Sequence, residues 1–131
     1  MKLTYTILGR PITKKNSQRI CRNKSTGKRH IRPSERYEEY ANTAKYYIRP
    51  APVVPVGTAV NVQCVYYMPT HHRVDLLNLM EGTLDILVEC KVLADDKSDI
   101  VVSHDGSRVL YDKNNPRTEI TITDVEKEEK P

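Results

Sequence analysis

Residues 73–96, RVDLLNLMEGTLDILVECKVLADD, are the stretch around which the rest of the chain is organised. Asp75 stands where an N-cap belongs, because a short acidic side chain accepts the backbone N–H groups that the first turn of a helix leaves unpaired. From there Asp75, Asn78, Glu81 and Asp85 recur every three to four residues, so a helix puts all four on one stripe. Leu76, Leu79, Met80, Leu84, Leu87 and Val88 supply its apolar remainder. Residues 91–94 then connect to the pair Asp95-Asp96. The acids have two readings: a cap followed by a solvated face, or, if the Asp-Asp pair folds back against the helix, a cation site.

Working outward, residues 58–68 (TAVNVQCVYYM) alternate Val60, Val62, Cys64 and Tyr66 against Asn61, Gln63, Val65 and Tyr67, as a strand does. Residues 100–103 read as a further strand. The Asp105-Gly106 turn signal predicts that residues 108–111 pair back on it as a hairpin arm. A second turn at residues 113–116 leads to a last strand at 117–123. Upstream, residues 2–8 alternate as a strand with one buried face. Ser34 opens a helix whose Tyr37, Tyr40, Ala41, Ala44 and Ile48 follow at helical spacing, and Pro50 stops it. Residues 11–33 have too few apolar side chains for a core element and read as a loop, with a loose hairpin around Ser25-Thr26-Gly27. The predicted fold class is α+β: a small mixed β-sheet of about four strands with two main helices, in the order β-loop-α-β-α-β-β.

The 131 residues suit one domain, at 1–124, with a charged flexible tail at 125–131. There is no Trp and no Phe, so eight Tyr carry all the aromatic surface, several of them half-buried with wet hydroxyls. The formal charge is only +4, but ten cations stand from Arg10 to Arg36 against the single acid Glu35. Such a concentration favours a polyanion, and nucleic acid before a membrane because no amphipathic apolar face accompanies it. The alternative for that segment is a disordered, solvated loop. Cys21, Cys64 and Cys90 are odd in number and share no C-x-x-C spacing, which fits reduced thiols in a cytoplasmic protein. No window reads as a signal peptide or a membrane span. His71 and His72 suggest a metal, yet neighbouring side chains diverge and no third ligand stands at zinc-like spacing; loop residues facing phosphate are the simpler reading.

A site that cuts phosphodiesters must neutralise charge on the scissile phosphate and generate hydroxide near neutral pH, and magnesium held by one or two carboxylates does both. The acidic cluster and the basic loop therefore make more sense together than apart. At this point the chain resembles the RusA-type Holliday junction resolvases of bacteria and their phages. The likeness is carried by the 11–17 loop (PITKKNS), Met68-Pro69 and residues 73–96. The family pattern is D-x-D-N-x-x-K on the central helix, a further Asp about a turn later, and a hydrophobic connector ending in D-D. Asp75, Asn78, Asp85, Asp95 and Asp96 match it, whereas Leu77 replaces the second Asp and Glu81 replaces the Lys.

The resemblance implies Asp75 and Asp96 as magnesium ligands and catalytic residues, with Mn2+ as a substitute for Mg2+ and no small-molecule cofactor. Glu81, on the same stripe, is our candidate for restoring the carboxylate that Leu77 lacks. Asn78, Asp85 and Asp95 are expected around those ligands, with Asp85 making a helix-to-loop hydrogen bond. The resemblance further implies a homodimer that binds a four-way DNA junction and nicks two strands of like polarity. Lys14, Lys15, Arg19, Arg22, Lys24, Lys28, Arg29 and Arg73 are the expected backbone contacts. Two rivals remain: a junction-binding module whose catalysis has decayed, and a small basic RNA-binding protein.

Overall fold

The computed structural model describes residues 1–14, 18–22, 24–49 and 52–126, of which 18–22 and 30–33 are described by their backbone alone. In chain order the elements are β1 (Lys2–Leu8), β2 (Gln18–Arg22), β3 (Arg29–Pro33), α1 (Glu35–Ile48), β4 (Val60–Met68), α2 (Leu76–Glu89), β5 (Val101–Ser103), β6 (Arg108–Tyr111) and β7 (Arg117–Asp124). The α+β class is as expected, but the main sheet has five strands. Part of the predicted tail, residues 127–131, lies outside the described residues.

β4 is the spine because its sequence can be buried almost throughout. Val60, Val62, Cys64 and Tyr66 are at most 1% exposed, and Val65 and Met68 are also buried. On one side β4 pairs antiparallel with β7, which pairs in turn with β1. On the other side it pairs parallel with β5 and then with β6.

Here the hairpin expectation fails. β5 and β6 do not pair with each other; they add one after the other to the same edge of β4. The reason lies in the turn between them, whose polar groups bind β4 instead of closing a two-stranded ladder. Asn61 Oδ1 accepts from Ser103 Oγ (2.6 Å) and from Asp105 N–H (2.7 Å), while Ser107 Oγ accepts from Cys64 N–H (3.0 Å). Gly106 takes the positive φ of 87° that the turn requires.

The 11–33 segment is also more ordered than a loop. β2 and β3 pair antiparallel from Gln18↔Pro33 to Arg22↔Arg29, around the expected turn. A ladder of backbone hydrogen bonds needs no apolar face to form, so hydropathy did not announce it.

The helices cover one face. Ser34 Oγ accepts from Tyr37 N–H at 3.2 Å, and Tyr37, Ala41, Ala44 and Ile48 are buried, as the spacing predicts. Three tyrosine hydroxyls, however, are tied to protein groups rather than wet. Tyr37 Oη donates to the Gly82 carbonyl (3.1 Å), joining α1 to α2; Tyr40 Oη meets Thr118 Oγ1 (3.1 Å); Tyr66 Oη meets Thr83 Oγ1 (2.7 Å), joining β4 to α2. With no Phe or Trp available, the aromatic core carries polar tips, and hydrogen bonds across the layers satisfy these three.

α2 ends in a Schellman motif. Val92 N–H reaches the Leu87 carbonyl (3.0 Å) and Lys91 N–H reaches Val88 (3.0 Å), while Lys91 adopts φ 62°. Leu87 and Val92 are both fully buried, as the hydrophobic contact of this motif requires. A left-handed conformation costs an L-residue about 1–2 kcal/mol, offset in part by the extra chain entropy of Gly. Lys91→Gly is therefore expected to stabilise the fold by about 0.5–1 kcal/mol, read from the urea midpoint at unchanged m-value.

Candidate active site

Three pieces of chain supply the carboxylates: the N-cap of α2, the exposed stripe of α2, and the segment that follows the Schellman turn. Asp75 is the cap, with Oδ1 accepting from Leu77 N–H (2.9 Å) and Asn78 N–H (3.4 Å). Both bonds end on Oδ1 and the residue is exposed, so Oδ2 remains open to a ligand. Glu81 is exposed on the same stripe. The Tyr37 phenol senses that stripe: burial first, then the charges of Asp85, Glu89 and Glu81 among its neighbours, hold it well above its usual range.

Asp85 makes the helix-to-loop contact expected of it, and its partner is a cation. Lys14 Nζ donates to Asp85 Oδ2 at 2.6 Å, with about a third of each side chain exposed. A pair this accessible contributes no more than about 1 kcal/mol, so its interest lies in position rather than stability.

The Schellman turn brings Asp95 and Asp96 back beside α2. Asp95 Oδ1 accepts from Asp96 N–H at 2.7 Å, and hydrogen bonds from Asp96 hold the Asp95 carboxyl below its usual range. Asp96 shifts the other way. A hydrogen bond with Asp95 raises it most, followed by partial desolvation and the negative charges of Asp95 and Asp85. Asp85 and Asp96, eleven positions apart, thus lie within electrostatic reach of each other.

Asp75, Glu81 and Asp96 are not drawn into a closed cluster: among the described residues, no three of Asp, Glu, His and Cys are grouped to hold a metal ion. Leu77 explains part of this, because at 72% exposed it puts an apolar side chain on the open side of the first turn. His71 is occupied otherwise, its ring stacked on Tyr111 at 3.8 Å between centroids and 24° between planes. The Cys64 thiol stands apart from this chemistry, buried and pushed up to about 12 by desolvation, while the side chain of Cys21 lies outside the described residues.

Of the expected DNA contacts, Lys24, Lys28 and Arg29 are exposed on the β2–β3 hairpin and Arg73 is exposed just before the α2 cap. Lys15 and the side chains of Arg19 and Arg22 lie outside the described residues. Lys14 faces the acidic stripe. Its pairing with Asp85 spans 71 positions, and nothing in the sequence distinguishes it from the other cations of its segment.

The family model of the endodeoxyribonuclease RusA matches residues 9–123. The chain belongs to that family, and its activity class is accordingly endodeoxyribonuclease. No curated protein matches the sequence.

Proposed function

We propose that the protein is a magnesium-dependent Holliday junction resolvase, with residues 1–124 as its nuclease domain, acting as a homodimer that nicks two strands of like polarity in a four-way DNA junction. A two-fold protein suits a two-fold substrate. The observation that carries the reading is the family match over residues 9–123, in a chain whose Asp96 lies within electrostatic reach of Asp85 on the acidic stripe of α2. Carboxylate oxygens are hard donors, and magnesium needs only one or two of them because water and phosphate complete its shell. The donor set therefore fits Mg2+, with Mn2+ as a substitute.

Asp96, Asp75 through its open Oδ2, and Glu81 would hold the ion; when bound, it polarises a phosphoryl oxygen and lowers the pKa of a bound water. The chain's own contribution is positioning. Asp95 fixes the Asp96 backbone, Lys14 fixes Asp85, and Asn78 sits one turn into the stripe. Hairpin cations and Arg73 offset the repulsion between this acidic site and the DNA backbone. No described helix is long and apolar enough to cross a membrane.

A labelled four-way junction tests the reading. Paired nicks are expected with magnesium and none with EDTA. Binding without nicking would favour the decayed module, a reading that the exposed Leu77 supports. No preference for branched DNA and no effect of divalent ions would favour RNA binding. Within the same assay, Glu81→Gln is expected to lose cleavage nearly as fully as removal of a primary ligand, and wild-type rates in that variant would refute the role given to Glu81.

A further inference from the structure

Three arginines distant in sequence meet at one cavity. Arg10 follows β1, Arg36 sits in the first turn of α1, and Arg73 lies two residues before the α2 cap; with Thr13, Met68 and His72 among the lining, they border a half-open cavity of about 180 Å³. Among the described residues, no acid lines this space. By the share of liquid volume that water takes, it holds roughly six waters, enough for one hydrated phosphate group. Thr13 and Met68 are buried and form a floor, while the three arginines are exposed.

The arginines also lack the partners that other cations here possess. Arg117 binds Asp112 and Glu119, Lys14 binds Asp85, and Lys45 binds Glu89. Among the described residues, none of the side chains of Arg10, Arg36 and Arg73 has an ion pair or hydrogen bond. Glu39 lines an adjoining cavity shared with Arg10 and Arg36, yet pairs with neither. Three like charges converging without a counter-ion are poised for an anion, and the guanidinium fork matches phosphate oxygens in pairs.

We propose that Arg10, Arg36 and Arg73 form one pocket for a single phosphodiester of the DNA backbone, beside the carboxylate site and separate from the hairpin cations. The proposal rests on the endonuclease reading for the source of the phosphate. The α2 cap joins the two sites: Arg73 and Asp75 flank Val74, so a strand presented to the carboxylates passes a neighbouring phosphate over the cavity.

The test is junction affinity, measured by fluorescence anisotropy in EDTA over a range of salt, for the wild type, Arg36→Gln, Arg73→Gln and their double variant. Thermal melting confirms that each is folded, and Lys28→Gln serves as a hairpin comparison. Each arginine change is expected to weaken binding about tenfold and to lower the slope of log affinity against log salt by about one. Because both residues serve one phosphate, the double variant should lower that slope by no more than about one in total. Wild-type affinity in the single variants overturns the proposal, and so does a fall of about two in the double variant, which would mean separate phosphates. Binding of inorganic phosphate that depends on these arginines, without any change in DNA affinity, also overturns it. A wild-type protein that binds the junction but never nicks it would defeat the resolvase reading and leave the pocket standing. Intact nicking with wild-type affinity in the variants would do the reverse.

Discussion

Asp96→Asn is expected to lower magnesium-dependent nicking by about 10²-fold or more, while junction binding in EDTA stays within about twofold of the wild type. The replacement is nearly isosteric. The hydrogen bond that Asp95 receives from the backbone of residue 96 survives the change. What disappears is one negative charge from a group whose ionised form is disfavoured by Asp95 and Asp85. The sign follows: a carboxyl raised in the fold favours folding below its ordinary pKa and loses that advantage as pH rises through the raised value. At neutral pH, removing the charge should therefore leave stability equal or slightly higher. Single-turnover cleavage of a labelled junction and a urea midpoint measure the two quantities. Loss of nicking in an equally stable protein assigns the residue to chemistry, and wild-type nicking would remove Asp96 from the ligand set.

Leu77→Asp is the second large expectation, and it is a gain. Leu77 is 72% exposed, so little buried apolar surface is lost, and an acid in the first turn interacts favourably with the helix dipole. Position 77 lies four residues before Glu81, which puts a new carboxylate on the same face one turn away. The magnesium concentration for half-maximal nicking is expected to fall about tenfold, an effect of the size that a well-placed ligand-shell group produces. The decisive comparison is the double variant Leu77→Asp, Glu81→Gln. If Glu81 replaces the family carboxylate, the new Asp should restore cleavage that Glu81→Gln alone has lost. An unchanged magnesium requirement together with no rescue would mean that the site works with fewer carboxylates.

The parts of this fold legible in sequence are those set by local chemistry. Ser34 and Asp75 cap the helices they were expected to cap, and the alternation of β4 and β7 places Val62, Cys64, Ile120 and Ile122 in the core. The unread parts depend on partners far along the chain. The Asp105-Gly106 signal correctly marks a turn, but Asn61 and Ser107 decide that its arms join β4 rather than each other. The same holds at the candidate site. Asp75 and Asp85 were placed by helical spacing, whereas the contact of Asp85 with Lys14, the proximity of Asp96 and the meeting of Arg10, Arg36 and Arg73 arise only when separate elements pack.

The Schellman turn at Lys91 has a further consequence as a spacer of fixed length. Val92 and Leu93 are pinned in the core, leaving only Ala94 between that anchor and the acidic pair. Deleting Ala94 would advance Lys97 into the place of Asp96 and reverse the sign of charge offered there. Inserting one residue would instead move Asp95 into that place and keep a carboxylate. The doubled aspartate thus makes the site tolerant of lengthening and intolerant of shortening, an asymmetry counted from the one left-handed residue at which the core anchor begins.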